Sequence, residues 1–282
     1  MRLFIVHTTL ILFYLGFSSC STYYYSTLAT SQREVVKKDN GDFMQENDTV
    51  SISYCFYGEN MPVEITVYNK LDKPLFLDWQ QSSLVLDAMA IGYNRNAGIE
   101  EQTKSSTFAY MDYLHPQTNY AETFGHFAGQ GSMPERVAFI PPQMMINSTP
   151  IVLNEFAFED IPDNEFSKAK YAGNNGKMKD VRLLEFTDTN TPLRFRSYIT
   201  LYTVNESGDR DKSMTFVQDF YLSQLVKSKA LTPSNTPANL EQRGDFFYIR
   251  KEKISKLAVI AGTAAIGIAG GVAIGAAVTP SR

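Results

Sequence analysis

Two cysteines and three histidines bound the covalent, redox and metal chemistry open to this 282-residue chain. His7 lies in an apolar leader, so His115 and His126 are the histidines left to a mature protein, both in a polar, loop-like stretch. Their spacing fits no helical metal motif, so they read as surface residues and no metal is expected. Glu100-Glu101 and Glu159-Asp160 are neighbours in sequence. Acid–base cleavage of a glycosidic bond needs carboxylates opposed across a cleft, which adjacent loop acids do not supply. The sequence contains no nucleophile elbow, CxxC pair, phosphate-cradling glycine loop or dinucleotide fingerprint. No catalytic residue, no cofactor and no enzymatic activity are therefore expected. Cys55, in the context Tyr54-Cys55-Phe56, reads as a small apolar residue of a strand.

Cys20 differs because of what precedes it. Arg2 is followed by an apolar run from Leu3 to Phe17 and then by Ser18-Ser19, the composition of a secretory signal covering 1–19. The ending Phe17-Ser18-Ser19-Cys20 resembles the lipobox of bacterial lipoproteins, with Phe17 where leucine is usual. The resemblance implies cleavage before Cys20, diacylglycerol on its thiol and a lasting membrane anchor, since several acyl chains exceed the two signals that stable anchoring takes. A lipidated Cys20 leaves Cys55 without a disulfide partner. In lipoproteins of the Bacteroidetes type, acidic residues behind the cysteine direct export to the cell surface. Ser21-Thr22-Tyr23-Tyr24-Tyr25-Ser26 contains none, which implies anchorage in the outer membrane with the domain facing the periplasm.

The elements that follow read as strands. Residues 20–47 are polar with a tyrosine cluster, the composition of a lipid-proximal tether. From Thr49 the chain alternates with period two: Val50, Ile52, Tyr54 and Phe56, then Val63, Ile65 and Val67 after a Gly58-Glu59-Asn60 turn, the pattern of an antiparallel pair. Leu75–Trp79, Ser83–Asp87, Arg136–Pro141 and Ile151–Phe158 add short strands, and Leu193–Val204 with Met214–Leu222 gives the strongest hairpin. Polar stretches at 93–134 and 162–180 read as long loops. Such a chain, with few helical patterns, points to an all-β, immunoglobulin-like antiparallel sandwich over 48–249, with Trp79 as a candidate core residue. Pro62–Trp79 and Glu135–Pro142 resemble a family of Bacteroidetes envelope lipoproteins, over a span from the lipobox to about residue 247. That resemblance implies an envelope location and carries over no activity.

The charge and the C-terminus complete the expectation. Residues 20–249 hold 20 basic and 29 acidic side chains, a net −9 that excludes nucleic acid as a partner. A basic flank from Arg250 leads into Leu257–Val278, uncharged and rich in Gly and Ala, long enough as a helix to cross a bilayer. Gly267, Gly271 and Gly275 fall on one helical face, a pattern that permits close helix packing in lipid, by self-association or with an envelope partner. Asp48-Thr49-Val50 resembles a short O-glycosylation motif, with Thr49 as acceptor. The expected function is a non-catalytic structural or interaction module of the cell envelope. The alternative is a carbohydrate-binding or glycan-processing protein that uses aromatic residues of its loops.

Overall fold

The computed structural model describes residues 21–86, 88–94, 136–153, 156–235 and 242–252. Two units divide the chain: Tyr23–Ile249, and a second made of Met1–Thr22 with Arg250–Arg282. In the second, Arg250 pairs with Glu252 at 2.6 Å and its Nε donates to Ser21 Oγ at 3.2 Å. Cys20, Gly267, Gly271, Gly275, the stretch Leu257–Val278 and most of 93–134 lie outside the described residues. Among the described residues no helix is long and apolar enough to cross a membrane.

The described residues form an all-β fold of two sheets packed as a sandwich. In chain order its strands are β1 (Ser21–Ala29), β2 (Val35–Lys37), β3 (Phe43–Glu46), β4 (Val50–Cys55) and β5 (Gly58–Glu59). There follow β6 (Pro62–Asn69), β7 (Leu75–Leu86), β8 (Met89–Gly92), β9 (Val137–Ile140) and β10 (Met145–Val152). The last are β11 (Ser167–Ala172), β12 (Met178–Glu185), β13 (Arg194–Val204), β14 (Arg210–Ser228) and β15 (Phe246–Glu252). The larger sheet runs β5-β15-β1-β14-β13-β7-β8, with β12 also on β14, β11 on β12 and β9 on β7. The smaller runs β10-β6-β4-β3-β2.

Alternation explains the strands that the sequence marks. Val50, Ile52 and Tyr54 point into the core while Ser51, Ser53 and Cys55 are half-buried, and β4 pairs antiparallel with β6 from Val50↔Asn69 to Cys55↔Glu64. β13 and β14 pair from Arg194↔Tyr221 to Val204↔Arg210 around the Asn205–Asp209 turn. Phe220 stacks on its cross-strand partner Phe195 at 5.2 Å and meets Phe43 and Tyr54 of the smaller sheet at 5.1 and 5.3 Å and Phe56, just after β4, at 5.1 Å. Contacts of this kind add about 1 kcal/mol each beyond the area they bury.

Four expectations are corrected. Residues 21–47, read as a tether, contain β1, β2 and β3, and β1 is an interior strand between β14 and β15. The stretch 162–180, read as a loop, holds β11 and the start of β12, paired from Ser167↔Leu183 to Ala172↔Met178. Leu75–Trp79 and Ser83–Asp87 are largely one strand, β7, interrupted where Trp79–Ser82 loops out: Asp78 faces Thr200 but Ser83 already faces Tyr198. The strand expected over Ile151–Phe158 instead runs from Met145 to Val152, after which Phe158–Asp160 forms a 3-10 turn.

One buried carboxylate ties the sheets. Asp245, with no exposed side-chain surface, pairs with Lys37 of β2 and with Arg243. Its own carbonyl accepts from Leu28 N–H of β1 at 2.7 Å, the Gly244 carbonyl accepts from Phe56 N–H at 2.6 Å, and Gly244 N–H donates to the Asn40 carbonyl at 2.9 Å. A Cβ on Gly41, which has φ of +84°, would sit 2.5 Å from Asp245 Oδ1, so the β2–β3 turn takes glycine there. Removing one partner from such a buried group costs about 3–5 kcal/mol.

A hydroxyl cluster also lies inside the sandwich. Tyr54 and Tyr93, both without exposed surface, place their phenols 2.6 and 2.8 Å from Ser197 Oγ. Burial pushes both phenols above their ordinary range. Each raised value means that the unfolded chain releases the proton first, so the folded state keeps its full stability below about pH 10 and loses it as pH rises further. Unfolding free energies from urea titration are therefore expected to fall above about pH 10, by up to about 1.4 kcal/mol per pH unit for each phenol, and the midpoints with them. A midpoint independent of pH while tyrosinate absorbance rises would contradict the buried cluster.

Candidate ligand-binding face

On the outer face of the larger sheet, cross-strand register lines up side chains from four strands. Phe139 of β9 sits opposite Phe76 of β7, and Phe76 opposite Tyr202 of β13. Phe139 meets Phe76 edge-on at 5.5 Å, and Phe76 stacks on Tyr202 at 5.2 Å with ring planes 11° apart. The Arg210 guanidinium covers Tyr202 at 4.0 Å. Phe139 is 54% exposed and Tyr202 only 8%, so the row is open at its β9 end and closed at its β14 end.

The looped-out residues of β7 frame this row. Asp78 Oδ1 accepts from the N–H groups of Gln80 at 3.1 Å and Gln81 at 3.3 Å, while Oδ2 accepts from Arg210 Nη2 at 2.6 Å. The Ser82 hydroxyl donates to the Asp78 carbonyl at 2.6 Å and accepts from Thr200 N–H at 3.0 Å. Thr200 Oγ1 donates to the Gln81 carbonyl at 2.9 Å. The loop turns Trp79 into the core, edge-on to Tyr93 at 6.0 Å, and leaves Gln80 and Gln81 exposed. Bulges of this kind re-aim side chains at the rims of sheets.

The chemistry follows from these partners. Asp78 is 1% exposed and both of its oxygens are engaged, so it holds the loop and is not placed as a general acid or base. Its carboxylate raises the Arg210 guanidinium further above its ordinary value, keeping the cation fixed over Tyr202. What remains outward is the Phe139 ring at one end of the row, the Arg210 guanidinium at the other and, on the β7 loop, the exposed residues Gln80 and Gln81, groups that suit stacking and hydrogen bonding to a polar ligand.

The sequence-based sites are placed separately. Thr49 is half-buried at the turn into β4, with its N–H held by Asn47 Oδ1 at 2.8 Å. Cys55 is half-buried on the outward side of β4, and burial pushes its thiol up to about 11, which suppresses the thiolate. Cys20, Gly267, Gly271, Gly275, His115 and His126 lie outside the described residues. Among the described residues no group of three His, Cys, Asp or Glu side chains is arranged to hold a metal ion. Sequence reasoning missed Asp78 and Arg210, although a carboxylate inside the apolar run Leu75-Phe76-Leu77-Asp78-Trp79 was the available signal.

Asp78→Ala, which strands buried N–H donors, is expected to cost about 3 kcal/mol in urea unfolding, and Phe139→Ala less than about 1 kcal/mol. Equal losses would contradict the division into a buried frame and an open ring. The chain matches no protein-family model, no curated protein and no solved structure.

Proposed function

We propose that this protein is a lipid-anchored module of the bacterial cell envelope, of the Bacteroidetes lipoprotein type, that acts by structural or binding interactions and not by catalysis. The observation that carries this is the leader itself: Arg2, the apolar run Leu3–Phe17 and the ending Phe17-Ser18-Ser19-Cys20. Diacylglycerol on Cys20 anchors the mature chain in the outer membrane, and the non-acidic Ser21–Ser26 leaves the domain facing the periplasm. Leu257–Val278 adds a second membrane contact, as a helix that packs on itself or on an envelope partner through Gly267, Gly271 and Gly275. Thr49, in the turn between β3 and β4, is a glycan acceptor. The sandwich is of immunoglobulin-like type, a reading supported by the antiparallel pairing of β4 with β6 and β13 with β14, and by Trp79 in the core.

A second reading, favoured by the Phe139–Phe76–Tyr202 row, is carbohydrate binding on the outer face of the larger sheet. Saturable glycan binding that disappears in the Phe139→Ala variant would support it, and a wild-type protein that retains no glycan would remove it.

The anchor is tested by metabolic labelling. Wild-type protein takes up labelled palmitate and sediments with membranes, while Cys20→Ser takes up none. A cleaved, membrane-bound Cys20→Ser protein, with palmitate absent from the wild type as well, would sink the lipoprotein reading.

A further inference from the structure

The ends of the Tyr23–Ile249 unit leave from the same end of the larger sheet. Tyr23 pairs with Ser228 at the C-terminal end of β14, and β1 runs away from there to Ala29↔Tyr221. β15 lies beside β1. The residue before β15, Asp245, accepts from Leu28 near the end of β1, and the Tyr248 ring lies 6.2 Å from that of Tyr25. The two strands are therefore antiparallel, and Ile249 returns to the level at which Tyr23 starts. Three residues separate Tyr23 from Cys20, a reach of at most about 11 Å, and eight separate Ile249 from Leu257, at most about 29 Å. With lipid on Cys20, these lengths hold this end of the sheet close to the bilayer.

The β11–β12 hairpin occupies the same end. Arg182 and Tyr24 both face Lys227, from opposite sides of β14. From that level β12 runs back through Val181 and Asp180 to Met178, in the direction in which β1 runs back toward its first residue. Its tip is built rather than loose. Gly173 N–H donates to the Lys177 carbonyl at 3.0 Å, and Asn174 Nδ2 donates to the Ser234 carbonyl at 2.9 Å. Ala169, Tyr171 and Val181 pack on a second apolar cluster with Tyr25, Val226 and Leu231, which fixes the opposite face of the hairpin outward. That outward face pairs Lys168 with Arg182 and Lys170 with Asp180, and ends at Met178, which is 58% exposed. Residues 167–182 hold five cationic side chains against one carboxylate, in a domain whose net charge is −9.

The geometry points to the β11–β12 hairpin as a membrane-docking arm that seats on anionic lipid headgroups, with Met178 at the apolar contact. The occupant is a lipid surface because the chain reaches lipid within a few residues of this end, and because the cations gathered here oppose the charge of the rest of the domain. The inference rests on the reading of Cys20 as the lipidated residue.

The test places an environment-sensitive fluorophore at Met178→Cys or at Ser207→Cys in the full chain carrying Cys55→Ser. Ser207 lies in the β13–β14 turn, at the other end of β14. The proteins are reconstituted in phosphatidylethanolamine–phosphatidylglycerol vesicles containing brominated lipid, and palmitate on Cys20 is measured in the same preparations. Quenching at 178 and none at 207 is expected, falling by roughly half or more when Lys168→Glu and Lys170→Glu are added or salt is raised. Trypsin cleavage after Lys177 and Lys179 in the unaltered chain, slowed in these vesicles relative to phosphatidylcholine vesicles, gives the same readout without a variant. Palmitoylated protein with equal, unquenched fluorescence at both positions overturns the docking arm and leaves the anchor standing. Quenching at 178 without palmitate upholds the arm and overturns the anchor.

Discussion

The ladder between β1 and β14 is the interaction on which the rest depends. It runs from Tyr23↔Ser228 to Ala29↔Tyr221, with one irregularity between Thr27 and Leu28. Among the described residues β1 also links β14 to the β15–β5 edge in the sheet order. Its side chains work on both faces: Tyr24 and Leu28 enter the main core, while Tyr25 packs with Phe246 and Val226 in the second cluster. A segment that composition marks as a tether is thus a structural centre, and it joins the sheet three residues after the cysteine proposed to carry lipid.

β14 makes this arrangement possible by its length. Its 19 residues serve β13 along the first part, β12 along the last, and β1 on the opposite edge. Phe216, Phe220 and Leu222 project into the sandwich, whereas Val226 projects to the other side after the register shifts near Ser223 and Gln224. One strand therefore couples the aromatic core, the second cluster and the hairpin. Asp245 closes the structure from the other side by holding Lys37 of the smaller sheet and the β1 backbone to the start of β15. Loss of β1 pairing would remove Leu28 from that node as well as from the core.

How much of this the sequence disclosed depends on burial. β4, β6, the first half of β13 and much of β14 have one face in the core and one outside, so their residues alternate and period two reveals them. β1 is covered on both faces, and Tyr24, Tyr25 and Ser26 are buried in succession, which erases the alternation and leaves a tyrosine-rich polar run. The β11–β12 hairpin hides for the opposite reason: its outward face is lysine-rich and its apolar face is short, with Ala169, Tyr171, Val181 and Leu183. β7 reads as two strands because Trp79–Ser82 leaves the ladder, and that same departure builds the frame around Asp78. Asp78 was visible as a charge inside an apolar run. Asp245 was not, because its partners beyond neighbouring Arg243 are Lys37, on its carboxylate, and Leu28 N–H, on its carbonyl, both some two hundred residues upstream.

Native-state hydrogen exchange of the mature protein tests the central claim most directly, because it distinguishes a core strand from a tether along the same residues. If β1 is held between β14 and β15, the amides of Tyr23–Ala29 exchange only with global unfolding, at rates matching those of Phe216–Leu222 in β14. Exchange of Tyr23–Ala29 at the rate of an unstructured peptide, with β14 still protected, would contradict the account.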